Sequence, residues 1–278
     1  MKEKKSRSTQ ILTLVFFIGL AILLYPTISN YWNQWNASRA MLEYEERIEK
    51  LTPEEMEKMR EDAREYNQSL VGSFPTFVDG PVEDEHYRSL LNVTGDGMIG
   101  HVTIEKLSVS LPFYHGTSIG VLATAGGHLE GSALPVGGVD SHPVITAHRG
   151  LPAAKLFTDL DQMKVGDQFH VNVLDEQYYY EVDDIKIILP EEVEHLGIIS
   201  DEDYLTLFTC TPYAVNTHRL LVRGKRIEAP TAGIGVEEEA EQLNPFIVAS
   251  ILSIPLLIMI FGYILIRPKY IKADRKEL

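Results

Sequence analysis

Two long apolar segments lie near the two ends of the chain. Residues 11–28 and residues 245–266 contain no charged side chain. About 20 apolar residues cross the hydrocarbon core of a bilayer as a helix, so we predict a transmembrane helix over each segment. Lysine and arginine residues precede the first segment and follow the second. By the positive-inside rule, residues 1–10 and residues 267–278 are then cytoplasmic.

The first apolar segment also has features of a secretory signal peptide, because it is short and follows a basic stretch. A cleaved signal peptide has small residues after its apolar core, whereas this chain has large residues there: Tyr25, Pro26, Tyr31, Trp32 and Trp35. Aromatic side chains are typical of the membrane interface. We therefore favour an uncleaved anchor, which places residues 29–244 outside the cell.

Residues 29–71 carry apolar side chains near helical spacing. Within this segment, Thr52-Pro53-Glu54-Glu55 combines a helix N-cap, a proline at the first helical position and a glutamate three residues after the cap. We predict two helices with a break near Thr52. They form an N-terminal arm that packs on the outer domain and spaces it from the membrane; the alternative is an arm that binds a partner.

The rest of the outer segment has the pattern of a β domain. Glycine and proline interrupt residues 72–97, which are predicted to be a loop. Apolar and β-branched runs separated by turn residues then lie at 100–104, 121–124, 142–148, 168–173, 177–188, 204–210 and 219–227. Seven or eight such strands, with one short helix at 152–161, predict a mainly β, closed or nearly closed barrel over 98–228. Residues 229–244 form a linker to the second apolar segment.

The charge of the chain restricts its partners. The formal net charge is −15 at pH 7 although both termini are basic, so the outer segment is strongly acidic. Nucleic-acid binding needs clustered lysine and arginine, and we expect no nucleic-acid partner. An acidic surface avoids anionic lipid and attracts basic partners.

Cys210 is the only cysteine of the chain, which excludes an intramolecular disulfide and a cysteine-rich metal site. It ends one predicted strand, and Arg219 begins the next. A hairpin would bring the two side chains together, where the guanidinium favours the thiolate and can stabilise an oxyanion. The alternative is that Cys210 is a buried apolar residue.

A thiol nucleophile also needs a proton carrier, and the chain has nine histidines. The candidates are His148 at the end of a predicted strand, His142 on the same face of that strand, and His218 beside Arg219. Spacing alone leaves all three open. A zinc site of His142 and His148 lacks a third ligand at suitable spacing, so we disfavour it. Most of the other histidines are expected at the surface.

Several motifs resemble those of one enzyme family, the class C or pilin-specific sortases. Thr206-Leu207-Phe208-Thr209-Cys210 with Arg219 resembles the family's cysteine and arginine signature. The stretches at 146–152, 156–161 and 210–224 (TAHRGLP, LFTDLD and CTPYAVNTHRLLVRG) resemble its other conserved regions, and the similarity covers about residues 92–226.

This resemblance implies a sortase-like β-barrel with Cys210 as nucleophile, His148 as general acid and base, and Arg219 as oxyanion stabiliser. It implies a membrane-anchored cysteine transpeptidase of a Gram-positive cell surface. Such an enzyme cleaves an LPxTG-like sorting signal between Thr and Gly and joins the acyl group to a pilin lysine. It requires no metal or organic cofactor, and its partners are pilin subunits and membrane lipid.

Two other functions remain compatible with the sequence. One is a surface cysteine peptidase, which uses the same residues but releases its product to water. The other is a non-enzymatic scaffold with two membrane spans, whose helical arm and acidic surface recruit partners.

The sequence departs from the resembled family before the barrel. Class C sortases usually carry an Asp-Pro-aromatic lid, whereas this chain has Asp79-Gly80-Pro81 with no aromatic residue following. We expect an open loop over residues 73–92 that leaves Cys210 accessible. The alternative is an unconventional plug formed by Phe77 or Tyr87.

Overall fold

A computed structural model of the chain describes residues 7–75 and 84–230, together with Gly262. Several predicted segments lie outside the described residues: the second span at 245–266 except Gly262, the tail at 267–278, nearly all of the linker at 229–244, and Asp79-Gly80-Pro81.

A long helix, α1 (Arg7–Ile48), contains the first apolar segment. Its most apolar 18-residue window has a mean hydropathy of 2.4, and by length and composition α1 can cross a membrane. It is the one such helix among the residues that the structure describes. The chain divides into two compact units, and the unit Trp32–Gly233 holds the rest of the fold described below.

The second helix, α2 (Pro53–Ser69), begins where the sequence predicts. The Thr52 hydroxyl accepts a hydrogen bond from the Glu55 N–H, and the Glu55 carboxylate accepts one from the Thr52 N–H (2.8 Å). This reciprocal cap satisfies two backbone N–H groups that a helix start otherwise leaves unpaired. The predicted break near Thr52 is therefore confirmed.

Buried polar contacts fasten both helices to the barrel. The Tyr44 hydroxyl donates to the Ile99 carbonyl (2.6 Å) and accepts from the Leu174 N–H (2.9 Å). The Asn67 side chain donates to the Leu134 carbonyl (2.9 Å) and accepts from the Leu134 N–H (2.6 Å). The arm thus packs on the outer domain, as the favoured interpretation of residues 29–71 predicts.

Eight strands close into a barrel, which confirms the predicted fold class. In chain order they are β1 (Met98–Ile104), β2 (Val109–His115), β3 (Gly126–His128), β4 (Val144–Thr146), β5 (Gln168–Val173), β6 (Glu176–Ile188), β7 (Tyr204–Thr211) and β8 (His218–Ile227). Around the barrel their order is β1-β2-β3-β4-β7-β8-β6-β5. The β2–β3 and β4–β7 pairs are parallel, and the other pairs are antiparallel.

The predicted strand at residues 121–124 is wrong, because a short helix, α4 (Ile119–Leu122), occupies its first half and a turn the second. The Ser118 hydroxyl accepts a hydrogen bond from the Val121 N–H and caps this helix. Apolar β-branched residues suggested a strand, but the local cap favours a helical turn. The sequence analysis also missed β2 and β3.

Two other element predictions need correction. The helix predicted at 152–161 is mostly turn, with only a 3₁₀ helix at Leu160–Gln162 overlapping its end. The loop predicted at 72–97 contains a short helix, α3 (Glu85–Ser89), which the Asp84 side chain caps through the N–H groups of His86 and Tyr87.

The wall formed by β4, β7 and β8 is buried on both faces. Leu205 and Leu207 of β7 belong to the main core cluster. Phe208 points to the other face, where it joins a second cluster with Leu129, Val144, Ile188, Leu196 and Leu221. Because side chains alternate along a strand, Cys210 follows Phe208 on this second face, at the end of a strand held from both sides.

Candidate active site

Cys210 and Arg219 lie directly opposite each other on neighbouring strands. The antiparallel register of β7 and β8 pairs Cys210 with Arg219 and Thr211 with His218. Both Cys210 and Arg219 are half-buried, and Cys210 is a free thiol. The hairpin predicted from the sequence therefore brings thiol and guanidinium to the same end of the barrel.

Backbone carbonyls orient the guanidinium of Arg219. Its Nη1 donates to the carbonyls of Asn216 (3.0 Å) and His218 (3.1 Å). Within residues 7–75 and 84–230, Arg219 makes no ion pair with a carboxylate. Its positive charge is thus held in place by neutral acceptors, so it remains available to an anion that forms nearby.

His148 lies at the same level of the barrel as Cys210. The parallel register of β4 and β7 pairs Thr146 with Phe208. The pairing continues through Ala147, whose N–H donates to the Phe208 carbonyl (3.2 Å) and whose carbonyl accepts from the Thr209 hydroxyl (2.7 Å). The next residue along each strand is His148 on one side and Cys210 on the other.

The imidazole of His148 is half-buried, and this burial lowers its pKa below the usual 6.5. Desolvation disfavours the charged form of a histidine. In the free protein His148 is therefore mainly neutral at physiological pH and able to accept a proton.

His142, by contrast, is a buried structural residue, and β4 begins only after it. Its Nδ1 donates to the Gly197 carbonyl (2.8 Å), and its Nε2 accepts from the Thr206 hydroxyl (2.7 Å). Burial lowers its pKa to about 4. The expectation that His142 lies on the same face as His148 stays a prediction, but both ring nitrogens of His142 already have partners, so it is not free to act as the proton carrier. In the described part of the chain, no group of three or more suitable side chains could hold a metal ion.

His218 lies at the first position of β8 and is half-buried. Its Nδ1 is 2.9 Å from the Thr217 hydroxyl. It neighbours Arg219 in sequence, but its strand partner is Thr211 and not the cysteine.

Several other histidines are buried, contrary to the expectation that they lie at the surface. His101, His115 and His128 are all less than 9% exposed. His128 accepts from the Tyr87 hydroxyl at Nδ1 (2.7 Å) and donates to the Ala133 carbonyl from Nε2 (2.7 Å). Its burial lowers its pKa to about 3.

Tyr87 is fully buried beside His128, so it is not a plug over Cys210. That alternative for the segment before the barrel is wrong. The other proposed plug, Phe77, lies outside the described residues, and so does the Asp79-Gly80-Pro81 segment. The expectation of an open loop over residues 73–92 stays a prediction for residues 76–83, but it is wrong for residues 84–92, where Tyr87, Leu90 and Leu91 are buried.

The sequence analysis assigned no role to Arg149, although the residue directly follows His148. Its side chain is only 8% exposed and pairs with the carboxylate of Asp161. Its Nε donates to the Thr158 carbonyl (3.1 Å) and its Nη1 to the Thr211 hydroxyl (3.3 Å). The guanidinium therefore touches the residue after the cysteine while its backbone adjoins the histidine.

Apolar side chains are exposed in the two loops that flank this end of β7 and β8. Leu189 and Ile199 lie in the loop between β6 and β7, and Tyr213 and Val215 lie in the turn between β7 and β8. Exposed apolar groups beside a polar site are typical of a surface that binds a ligand.

A family model described as the sortase domain matches residues 102–227, which span the barrel and all three candidate residues. Among curated proteins, sortase A of Streptococcus agalactiae is 24% identical over 223 residues, covering 77% of this chain and 82% of its own length.

Solved structures give higher identities. Sortase C1 of Streptococcus agalactiae is 44% identical with a TM-score of 0.65, over 69% of this chain and 99% of that one. Sortase C of Streptococcus pneumoniae, whose structure is described as informative on catalysis and pilin substrate specificity, is 42% identical with a TM-score of 0.65, over 70% of this chain and 100% of that one. Identities of this size along essentially whole sortase C chains show that this chain belongs to the sortase family of cysteine transpeptidases, in its class C group.

Proposed function

We propose that this sortase polymerises pilins through Cys210, His148 and Arg219. It cleaves an LPxTG-like sorting signal between Thr and Gly and joins the new acyl group to a lysine amine of another pilin subunit. The observation that carries the proposal is the register pair of Cys210 and Arg219, with His148 two residues beyond the paired end of β4. The description of the Streptococcus pneumoniae relative in terms of pilin substrate specificity supports the choice of substrate.

In the first half-reaction the Cys210 thiolate attacks the carbonyl carbon of the threonine. The negative charge that develops on the carbonyl oxygen is stabilised by Arg219. Neutral His148 takes the proton of the Cys210 thiol as the thiolate forms, and the resulting imidazolium donates that proton to the departing glycine amine as the C–N bond breaks. The products are a thioester on Cys210 and a released peptide with a free amino terminus.

In the second half-reaction the lysine amine attacks the thioester. Neutral His148 accepts the proton of the amine, and its lowered pKa favours this form. The C–S bond breaks, Cys210 leaves as a thiolate and an isopeptide bond remains. The peptide bond lost in the first step is replaced by an amide bond, so no external energy source is needed.

The exposed apolar residues around the site suit the sorting signal. A leucine and a proline side chain can pack against Leu189, which follows the Ile188–Arg219 pair, and Val215, in the turn between β7 and β8. Such packing places the threonine carbonyl between the thiol and the guanidinium.

We also propose the domain organisation and location that the sequence predicts. The catalytic barrel at 98–228 lies outside the cell, joined by the arm at 29–71 and the linker at 229–244 to spans at 11–28 and 245–266. Sortases are membrane-associated enzymes of the cell surface, and α1 is apolar enough to serve as the first anchor.

A ligation assay tests the proposed function. The detergent-solubilised full-length protein is incubated with an LPxTG-containing peptide and a lysine-containing pilin fragment, and the products are identified by mass spectrometry. We expect an isopeptide-linked product with the wild type and none with Cys210→Ala. Hydrolysed peptide alone would indicate the peptidase. No product, together with normal pili in a Cys210→Ala strain, would indicate the scaffold.

A further inference from the structure

Arg149 connects the two segments that carry the proposed nucleophile and proton carrier. On one side its guanidinium reaches Thr158 and Asp161 in the segment that follows His148. On the other side it reaches the hydroxyl of Thr211, the residue after Cys210. One nearly buried side chain therefore bridges the neighbours of both reactive groups.

The histidine itself has few direct restraints. In the described part of the chain, no side-chain hydrogen bond holds the His148 imidazole. Its backbone carbonyl accepts from the Phe157 N–H (3.2 Å), and the Gly150 N–H donates to the Thr158 hydroxyl (3.1 Å). These contacts tie residues 148–158 to one another, but they do not tie this segment to β7.

Contacts on both sides of His148 join this part of the chain to β7. Before it, the Ala147 N–H donates to the Phe208 carbonyl (3.2 Å). The Thr209 hydroxyl donates to the Ala147 carbonyl before it, and the Arg149 guanidinium donates to the Thr211 hydroxyl after it. They therefore determine together how far the imidazole stands from the thiol.

The chemistry of the site requires an arginine at this position. The guanidinium donates in three directions at once, to a carbonyl, a hydroxyl and a carboxylate. A planar fork with five N–H groups satisfies this arrangement, whereas a lysine ammonium is a single point with a different geometry. The Tyr213 ring also lies 5.9 Å from the centre of the guanidinium and covers it.

We propose that Arg149 is a positioning residue that holds His148 at working distance from Cys210 by linking the segment 148–161 to Thr211. Arg149 does not touch the reacting atoms. The proposal rests on the proposed function, because it assumes that His148 and Cys210 exchange a proton.

The expected effect lies in turnover and not in substrate binding. Misplacing a catalytic group by about 1 Å can cost about 10²-fold in rate, so we expect Arg149→Ala to lower kcat by about 10–100-fold. KM for the sorting-signal peptide should stay within about threefold, since Arg149 is almost buried. Arg149→Lys should be impaired nearly as much as Arg149→Ala.

A pair of smaller changes at Thr211 tests the same link without removing a charge. Thr211→Val removes the hydroxyl at nearly constant volume and should lower kcat by about 3–10-fold. Thr211→Ser retains the hydroxyl and should keep kcat within about twofold of the wild type. This pair also decides the matter if Arg149→Ala fails to fold.

Arg60 provides a matched control for loss of a nearly buried, ion-paired arginine. Its side chain is also 8% exposed and pairs with Asp175 (2.6 Å) and Glu57 (2.9 Å), where α2 meets the turn between β5 and β6. Arg60→Ala should lower the melting temperature while leaving the kcat of the folded protein within about twofold.

The experiment measures kcat and KM of the full-length protein in the ligation assay, with circular dichroism to determine the folded fraction. The proposal is overturned if Arg149→Ala loses no more turnover than Arg60→Ala, or if Thr211→Val equals Thr211→Ser. If either result is found and Cys210→Ala is inactive, only the positioning role of Arg149 is overturned and the proposed function is retained. Activity that survives in Cys210→Ala would overturn both.

Discussion

Among residues 7–75 and 84–230, backbone carbonyls and no carboxylate hold the guanidinium of Arg219, which leaves its charge available to the reaction. We predict that Arg219→Lys lowers kcat by about 10²–10³-fold, because a point charge replaces the oriented planar donor. Steady-state ligation kinetics measure this loss. The control is Arg223→Lys on the same strand, whose ion pair with Asp183 a lysine can keep. Equal kinetics for Arg219→Lys and Arg223→Lys would show that Arg219 does not stabilise the oxyanion.

The three candidate histidines should respond differently to substitution by alanine. His148→Ala should abolish ligation with little loss of stability. His142→Ala should instead destabilise the protein, because it leaves the Gly197 carbonyl and the Thr206 hydroxyl without their buried partner. His218→Ala should retain most activity. Thermal melts together with activity per folded molecule separate these outcomes, and a similar loss of chemistry in all three would mean that His148 is misassigned.

Burial should be visible in the titration of His148. Since desolvation lowers its pKa, we predict that its ring titrates with a midpoint below 6.5, and that the neutral form persists to lower pH than in an exposed histidine. NMR of the Cys210→Ala variant, which removes the neighbouring thiol, measures this midpoint against that of exposed His86. A midpoint at or above 6.5 would contradict the lowered pKa.

At the scale of elements, the packing of α2 on the domain depends on the side-chain amide of Asn67. The Asn67 side chain makes two buried hydrogen bonds to the backbone of Leu134. Losing such bonds costs about 1–3 kcal/mol for each buried group left unpaired, so Asn67→Ala should lower the free energy of unfolding by about 2–4 kcal/mol. Denaturant unfolding measures the change, with the exposed neighbour Gln68→Ala as control. Equal stabilities would show that α2 does not depend on this contact.

The elements differ in how far the sequence could predict them. The pairing of Cys210 with Arg219 was predictable because β7 and β8 are consecutive and joined by a short turn. The level of His148 was not, because the parallel pairing of β4 with β7 joins distant parts of the chain. The resemblance to the family motif identified His148 as the proton carrier, which residue spacing alone did not. Periodicity also failed at α4 and at β3, since elements of three or four residues are too short to show a period.

Buried histidines show a second limit of sequence analysis. Their residue type is usually placed at the surface, but His128 and His142 each have partners for both ring nitrogens. Those partners come from other strands and loops. Only the folded structure therefore shows that hydrogen bonds compensate for the loss of water around each buried ring.

For the whole molecule, the central prediction is a two-span topology. In a Cys210→Ala background, Glu49→Cys should react with a membrane-impermeant maleimide on intact cells, whereas Ser6→Cys and Lys272→Cys should react only after permeabilisation. Residue 49 lies outside the membrane in the proposed topology, and the other two lie in the basic termini. Reaction of Lys272→Cys on intact cells would contradict the second span. Absence of residue 6 from the mature protein would indicate a cleaved signal peptide.

The order of strands around the barrel also determines when the enzyme becomes active as it folds. β8 is the last strand in the chain, yet it is inserted between β7 and β6 and brings Arg219 with it. Pairings between segments distant in sequence form slowly, because the loop between them must close first. A chain emerging on the outer side of the membrane therefore carries His148 and Cys210 before it has the complete barrel. Until β8 has docked and Arg219 is in place, such a chain cannot stabilise the oxyanion of the tetrahedral intermediate, so we expect no acylation of Cys210 before then.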